Sequence, residues 1–344
     1  MIVLQSIEQR MVSIQMNLKT NNYISDCDDI GKIGFSKEVF IDYTTKKKVL
    51  ITGANSYIGV SFEKYAKAYY SENFVINTVD LISDSWREEN FSEYDVVFHV
   101  AGIAHSDVGK VSEETKKKYY SVNTNLAVEV AKKAKVDGVK QFVFMSSMIV
   151  YGDSARFGQK KVITRDTMPN PANFYGDSKW QADKGVRALA DENFNVTVLR
   201  PPMIYGRGSK GNYCTLAKIA KKVPLFPKVK NERSMLYIDN LCEFLCKIML
   251  LGEGGVFIPQ NSEYTDTCDM VNEIAKMSGK KIILSSLFAP LVFLGSKIPG
   301  KIRGLVNKAF GNMVYDQEMS QYPGLEYRVV SLKESIKKTE GNHE

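Results

Sequence analysis

Residues 48–59 (KVLITGANSYIG) constrain the fold of this chain more than any other stretch. Val49, Leu50 and Ile51 form a short apolar, β-prone run, which predicts a buried parallel strand. Thr52, Gly53, Ala54 and Asn55 break that run, and a helix-compatible segment starts near Ser56 and continues to Lys67. A strand, a Gly-rich turn and a helix N-terminus aim backbone N–H groups at one point, where a pyrophosphate can sit. An ordinary βα turn would look the same in isolation, so the downstream segments decide.

Those segments repeat the rhythm. Residues 74–81 (FVINTVDL), 95–101 (DVVFHVA), 141–147 (QFVFMSS) and 196–200 (VTVLR) read as strands separated by helical stretches, one of them predicted over 113–135. The alternation predicts an α/β fold with a parallel, doubly wound sheet. Asp80 lies 21 residues beyond Gly59, near the spacing of about 20 expected for a carboxylate on an adenosine ribose. Asp84 competes for that role, and either acid would also serve as a turn cap. His99 falls inside an apolar run and reads as a core imidazole, whereas His105 falls at a strand's C-terminal end, where ligand crevices form. Asn123 is polar on the inward face of its helix and needs a partner, either backbone or cofactor.

Beyond Tyr205 the alternation loosens, with Gly206, Gly208, Gly211, Pro224 and Pro227 accumulating and one long apolar helix expected over 236–251. Residues 1–46 show no sustained period and form an N-terminal extension. We assign 47–205 to a first domain, to which 236–258 return, and 206–235 with 259–335 to a smaller substrate-binding lobe. Residues 282–294 are strongly apolar but too short to span a membrane and contain Pro290. Lys297, Lys301, Arg303 and Lys308 follow, so the stretch is either a lobe helix with a solvated face or a weak peripheral membrane contact.

The chain of 344 residues carries a net charge of +7, but its lysines are scattered and no arginine-rich arm appears, so no nucleic-acid partner is expected. A nucleotide substrate or a membrane surface suits the mild basicity. Cys27, Cys214, Cys242, Cys246 and Cys268 form an odd set without metal-ligand spacing. They predict no metal and a reduced, cytoplasmic setting. The N-terminus lacks a basic patch ahead of a long apolar run, so no signal peptide is expected.

The chemistry concentrates at Tyr175-Gly176-Asp177-Ser178-Lys179, with Ser146-Ser147 at a strand end upstream. Tyr and Lys four apart share one helix face. A phenol acting as a base near neutral pH needs its pKa lowered by about three units, or roughly 4 kcal/mol. A cation about 4 Å away supplies a term of that size, and Lys179 can be that cation. The Ser147 hydroxyl can hold a substrate oxygen and share its proton with the phenol.

With these segments in order, TGANSYIG at 52–59, HVAGIAH at 99–105, SVNTNLA at 121–127, SSMIVYG at 146–152, YGDSK at 175–179, LRPPMIYG at 199–206 and RSMLYIDNL at 233–241, the chain resembles the extended short-chain dehydrogenase/reductase family, specifically its nucleotide-sugar epimerase/dehydratase branch. The resemblance covers about residues 47–330. It implies a Rossmann domain holding NAD(P) and a C-terminal lobe gripping a nucleoside diphosphate sugar, and it leaves room for a homodimer. By position it implies a cofactor cleft formed by Gly53, Asn55, Ser56, Tyr57, Ile58, Gly59, Asp80, Ala101, Gly102, Asn123 and Pro201, joined by Tyr175 and Lys179. Ser147, Tyr175 and Lys179 would be the catalytic triad, and Ser147, Met148, Tyr175, Met203 and Arg233 would meet the substrate, Arg233 at its diphosphate. Three departures from the family pattern stand out. Ser56 replaces the middle glycine, Met148-Ile149 replace the acidic pair of the dehydratases, and Met203 replaces an asparagine of the galactose epimerases. The expected activity is NAD-dependent C4 epimerisation of a UDP-hexose through a 4-keto intermediate. A nucleotide-sugar 4-keto reductase would use the same triad once, and a non-catalytic dinucleotide sensor would have no need for the Tyr–Lys pair.

Overall fold

The computed structural model describes residues 45–104 and 111–341. His105, Cys27 and the N-terminal extension up to residue 44 lie outside them. Six parallel strands form the central sheet: β1 (Lys47–Thr52), β2 (Phe74–Val79), β3 (Val96–His99), β4 (Gln141–Met145), β5 (Asn195–Leu199) and, further along the chain, β8 (Gly255–Phe257). Their spatial order is β8-β5-β4-β3-β1-β2. The chain leaves β1 for β2 and returns past β1 to β3, which makes the C-terminal ends of β1 and β3 the switch point where ligand crevices form.

Apolar residues face both ways, as a sheet covered on both sides requires. Val49, Ile51, Phe98 and Val143 pack with Phe62 and Ala66 of α1 (Tyr57–Tyr69). Leu50, Val97, Phe142 and Phe144 pack with alanines 127, 131 and 134 and with Ala182 and Val186.

The segment expected as one helix over 113–135 is α2 (Glu113–Tyr119), a π-helical stretch (Tyr120–Leu126) and α3 (Ala127–Val136). The break falls at Asn123 and Thr124, whose side chains bond to Ser178 of α4 (Phe174–Arg187). Tertiary bonds override the helical period here, as they do at many functional sites.

Between β5 and β8, β6 (Met203–Tyr205) pairs with β7 (Met235–Tyr237), and α5 (Asn212–Lys222) lies between them in sequence. The long helix expected over 236–251 is therefore the end of β7 followed by α6 (Ile238–Leu251). An apolar strand runs straight into an apolar helix with no glycine or proline to mark the boundary. Cys242 and Cys246 are buried in α6. The remaining helices are α7 (Thr267–Met277), α8 (Ala289–Lys297), α9 (Lys301–Phe310) and α10 (Leu332–Glu340). Among the described residues no helix is long and apolar enough to cross a membrane.

Candidate active site

The turn after β1 is built for close backbone approach. Gly53 has φ +112°, and a Cβ there would stand 2.7 Å from the Ala101 nitrogen. The backbones after β1 and β3 thus touch at the switch point, which only glycine permits. Ser56 caps α1, its hydroxyl accepting from Gly59 N at 3.2 Å. A serine in the middle-glycine position is accommodated because its side chain turns into the cap. The left-handed conformation falls instead on Asn55, at φ 61°, a residue type that tolerates it. Tyr57 and Ile58 open α1, and the buried Tyr57 hydroxyl has no hydrogen-bond partner among the described residues.

Asp80 stands exposed just past β2, its carboxylate accepting from Ile82 N at 2.9 Å. Asp84 is engaged elsewhere, paired with Arg87, which also bonds to Glu129 at 2.6 Å and 2.9 Å.

Behind β3 three residues converge. A Cβ on Gly102 would lie 3.2 Å from both Asn123 Oδ1 and Lys179 Nζ. Asn123 is fully buried and pairs with both polar groups of the Ile103 backbone, at 2.7 Å and 3.1 Å. Its expected partner is therefore backbone.

Asn173 caps α4, which carries Tyr175 and Lys179 one turn apart. Lys179 donates to the Met145 carbonyl at 3.0 Å, fastening α4 to the end of β4. Burial holds its pKa down to about 8, with Asp183 pulling the other way. Tyr175 packs edge-on against Tyr119 with centroids 5.9 Å apart. Burial, with a smaller contribution from Tyr119, pushes its phenol up to about 12. Burial sets the direction, and the ammonium of Lys179, expected as the lowering cation, donates to the Met145 carbonyl instead.

Ser147 follows β4 and caps a 3₁₀ turn (Met148–Tyr151), accepting from Ile149 N at 3.3 Å. Met148 is buried and its N–H donates to the Pro201 carbonyl at 2.9 Å, which ties the Ser147 turn to the segment after β5. Met203 is partly buried at the start of β6. Arg233 forms isolated bridges with Thr265 and Met313 and donates to the carbonyls of Gly311 and Asn307 at 2.9 Å and 3.0 Å, where α9 terminates. Burial brings its pKa down to about 10.

One group was not anticipated. Asp183 accepts from Ser146 Oγ at 2.8 Å, from Arg187 at 2.9 Å, and from Arg200 at 2.8 Å and 2.9 Å. Burial raises the carboxyl pKa, but the bonds and charges of Arg200 and Arg187 prevail and hold it below the usual range. The i+4 series Tyr175, Lys179, Asp183, Arg187 was the available signal.

These features define a Rossmann-type dinucleotide-binding protein with a Ser, Tyr and Lys set gathered at the strand ends. The model of the NAD dependent epimerase/dehydratase family matches residues 49–257, and the chain belongs to that family. It is 30% identical over 254 residues to a UDP-glucose 4-epimerase of Vibrio cholerae, covering 68% of this chain and 76% of that one. It is 29% identical over 283 residues to the N-acetyl-α-D-glucosaminyl-diphospho-ditrans,octacis-undecaprenol 4-epimerase of Escherichia coli O157:H7, covering 74% and 81%. Among solved structures, the UDP-glucuronic acid 4-epimerase of Bacillus cereus in complex with NAD superposes with a TM-score of 0.63 at 17% identity, covering 85% of this chain and 95% of that one.

Proposed function

We propose that the chain is an NAD-dependent C4 epimerase acting on a hexose carried by a nucleoside diphosphate, with UDP as the nucleotide. The observation that carries this reading is the pairing of Tyr175 and Lys179 on α4, fastened to β4 at the strand end where Ser147 stands, with Met148 and Ile149 rather than carboxylates following. Dehydration needs an acid and a base beside the hydroxyl residue, and apolar neighbours supply neither. The family match and the two epimerase relatives support the same chemistry.

In this reading Ser147 holds the C4 oxygen and Tyr175 takes its proton. Lys179 opposes the phenolate charge with its own and bonds to the nicotinamide ribose. NAD, held by the turn from Gly53 to Gly59, would supply the hydride acceptor and donor that inversion at C4 needs. Gly53, Ser56 and Gly59 seat the pyrophosphate, Asp80 meets the adenosine ribose, and Ala101, Gly102, Asn123 and Pro201 line the cleft. The close approach of Gly53 to Ala101, and of Gly102 to Asn123 and Lys179, suits that fit. Met148 and Met203 bound the sugar, and Arg233 meets the diphosphate. The protein works in the cytoplasm, where its cysteines stay reduced, and a homodimer is compatible with this assignment.

A second reading keeps the chemistry and changes the carrier to a polyprenyl diphosphate, the class in the name of the E. coli relative. The exposed apolar side chains between Leu287 and Leu305 favour it. Incubation with UDP-hexoses, UDP-N-acetylhexosamines and a polyprenyl diphosphate sugar, read by NMR, separates these outcomes. A C4 epimer formed without net consumption of NAD is expected. Reduction of a 4-keto sugar nucleotide with stoichiometric loss of NADH, and no epimer from any substrate, would make the protein a reductase instead.

A further inference from the structure

We propose that α8, α9 and the turn before them form a docking surface for an anionic lipid bilayer, lying on it without spanning it. This surface is separate from the strand-end cleft and does not rest on the epimerase reading.

The surface is conspicuous for what it leaves in solvent. Leu287 is 84% exposed, Leu291 61%, Leu294 57% and Leu305 67%, and Phe293, Ile298 and Ile302 are each nearly half exposed. Of the apolar side chains on α8, Val292 is the one that is buried. Leu287, Leu291, Leu294 and Ile298 recur at spacings of four, three and four, so they line one side of the helical path. Ile302 and Leu305 do the same on α9. A Cβ on Gly295 would lie 3.5 Å from Ile302 and 3.4 Å from Val306, so the two helices pack closely and their exposed rows adjoin. A soluble protein rarely leaves so contiguous an apolar patch uncovered.

Charge identifies the occupant. From Lys280 to Tyr315 the chain holds six basic residues (Lys280, Lys281, Lys297, Lys301, Arg303 and Lys308) and no aspartate or glutamate. The side chains of Lys280, Lys281, Lys297, Arg303 and Lys308 are exposed. Lys297 Nζ stands 5.0 Å from the centre of the Phe293 ring, which puts charge and apolar surface in one place. A second copy meeting this face across a two-fold axis would bring like charges together, which is unfavourable. An anionic headgroup layer above acyl chains satisfies both features at once. The patch also has a route to the cleft lobe. Arg233 binds the C-terminal carbonyls of α9, and Asn307 of α9 accepts from Phe157 N at 3.3 Å.

The test is sedimentation of the full chain with vesicles of phosphatidylcholine alone or mixed equally with phosphatidylglycerol. Binding to the mixed vesicles, weakened by salt, is expected, with little binding to phosphatidylcholine alone. Lys297→Gln with Arg303→Gln should weaken it about 25-fold, since each cation near the surface contributes about fivefold. Leu291→Gln with Leu294→Gln should weaken it about tenfold or more, because two apolar side chains no longer insert. All four residues are exposed, so both variants should keep the wild-type melting temperature and turnover on soluble substrate. No sedimentation with either vesicle, or binding unchanged in both variants, overturns the proposal. Loss of a dimer in the leucine variant, without vesicle binding by the parent protein, assigns the face to a second copy and overturns it equally. Vesicle binding needs no turnover, so its failure is distinct from failure of the epimerase reading.

Discussion

Asp183 and Arg200 form a two-pronged ion pair with no solvent exposure on either side chain, at 2.8 Å and 2.9 Å. The pair joins α4, which carries Tyr175 and Lys179, to the segment after β5, while Ser146 binds the same carboxylate from the end of β4. The helix and strand ends of the candidate site therefore share one buried anion. Breaking such a pair from one side leaves a charge stranded, at a cost of about 3–5 kcal/mol. Asp183→Asn should lower unfolding stability by that amount in denaturant titration. Replacing both partners, as Asp183→Leu with Arg200→Met, should cost less, because the fully buried guanidinium goes with the carboxylate and the Arg187 left behind is part exposed. Equal losses in the single and double variants would show that packing, not charge, holds the joint.

Tyr175→Phe should abolish turnover and leave NAD binding nearly intact, since only the phenolic oxygen is lost. The ring still packs against Tyr119, so the fold should be undisturbed. Activity above a few per cent of wild type, with any sugar substrate, would remove Tyr175 from the role of base.

Asp80 stands exposed just past β2, and its carboxylate would repel a 2′-phosphate. NADH should bind more tightly than NADPH, and Asp80→Asn should narrow the gap. Calorimetry giving NADPH the higher affinity would place ribose selection on another residue.

His99 is fully buried, hydrogen-bonded through Nδ1 to Thr52 at 2.8 Å, and its Nε2 has no partner among the described residues. Burial first, then the charge of Lys179, holds its pKa down to about 3 from 6.5. The folded state therefore refuses a proton that the unfolded chain accepts. Stability should be full above about pH 6.5 and decline as the pH falls towards 3. His99→Asn can keep the bond to Thr52 without titrating, and its melting temperature should fall less steeply over that range. Parallel curves for the two proteins would assign acid sensitivity to other groups.

The strand, turn and helix from Lys47 to Tyr69 are legible because local chemistry and tertiary need agree there: an apolar run, Gly53 at a crowded switch point, and Ser56 as cap. The Tyr175 and Lys179 pair is legible for the same reason, since one helical turn sets their relation. The π turn at Asn123 is not, because it depends on bonds to Ser178, 55 residues away. Nor is the joint between Asp183 and Arg200, which depends on how α4 packs beside the end of β5. The cation four residues from Tyr175 is visible in sequence, whereas the burial that raises the phenol's pKa is not.

Arg233 is the residue for which geometry changes the expectation most. A diphosphate brings charges that must be matched as water leaves, and a guanidinium does so with paired hydrogen bonds. In the structure two of its five donors already serve the carbonyls of Asn307 and Gly311. Arg233 therefore anchors the end of α9 and can offer its remaining donors to a ligand. Charge-assisted bonds are worth about 1.5–3 kcal/mol each, so Arg233→Ala should raise KM for the sugar substrate tenfold or more. The same variant should also melt earlier, because two part-buried carbonyls each lose one donor. Arg233→Lys should recover part of each effect, since it keeps the charge and loses the fork. NAD affinity should not move, as the turn proposed for its pyrophosphate is the one from Gly53 to Gly59. If Arg233→Ala lowers the melting temperature while KM stays at the wild-type value, Arg233 is an anchor of the lobe and the diphosphate is held elsewhere.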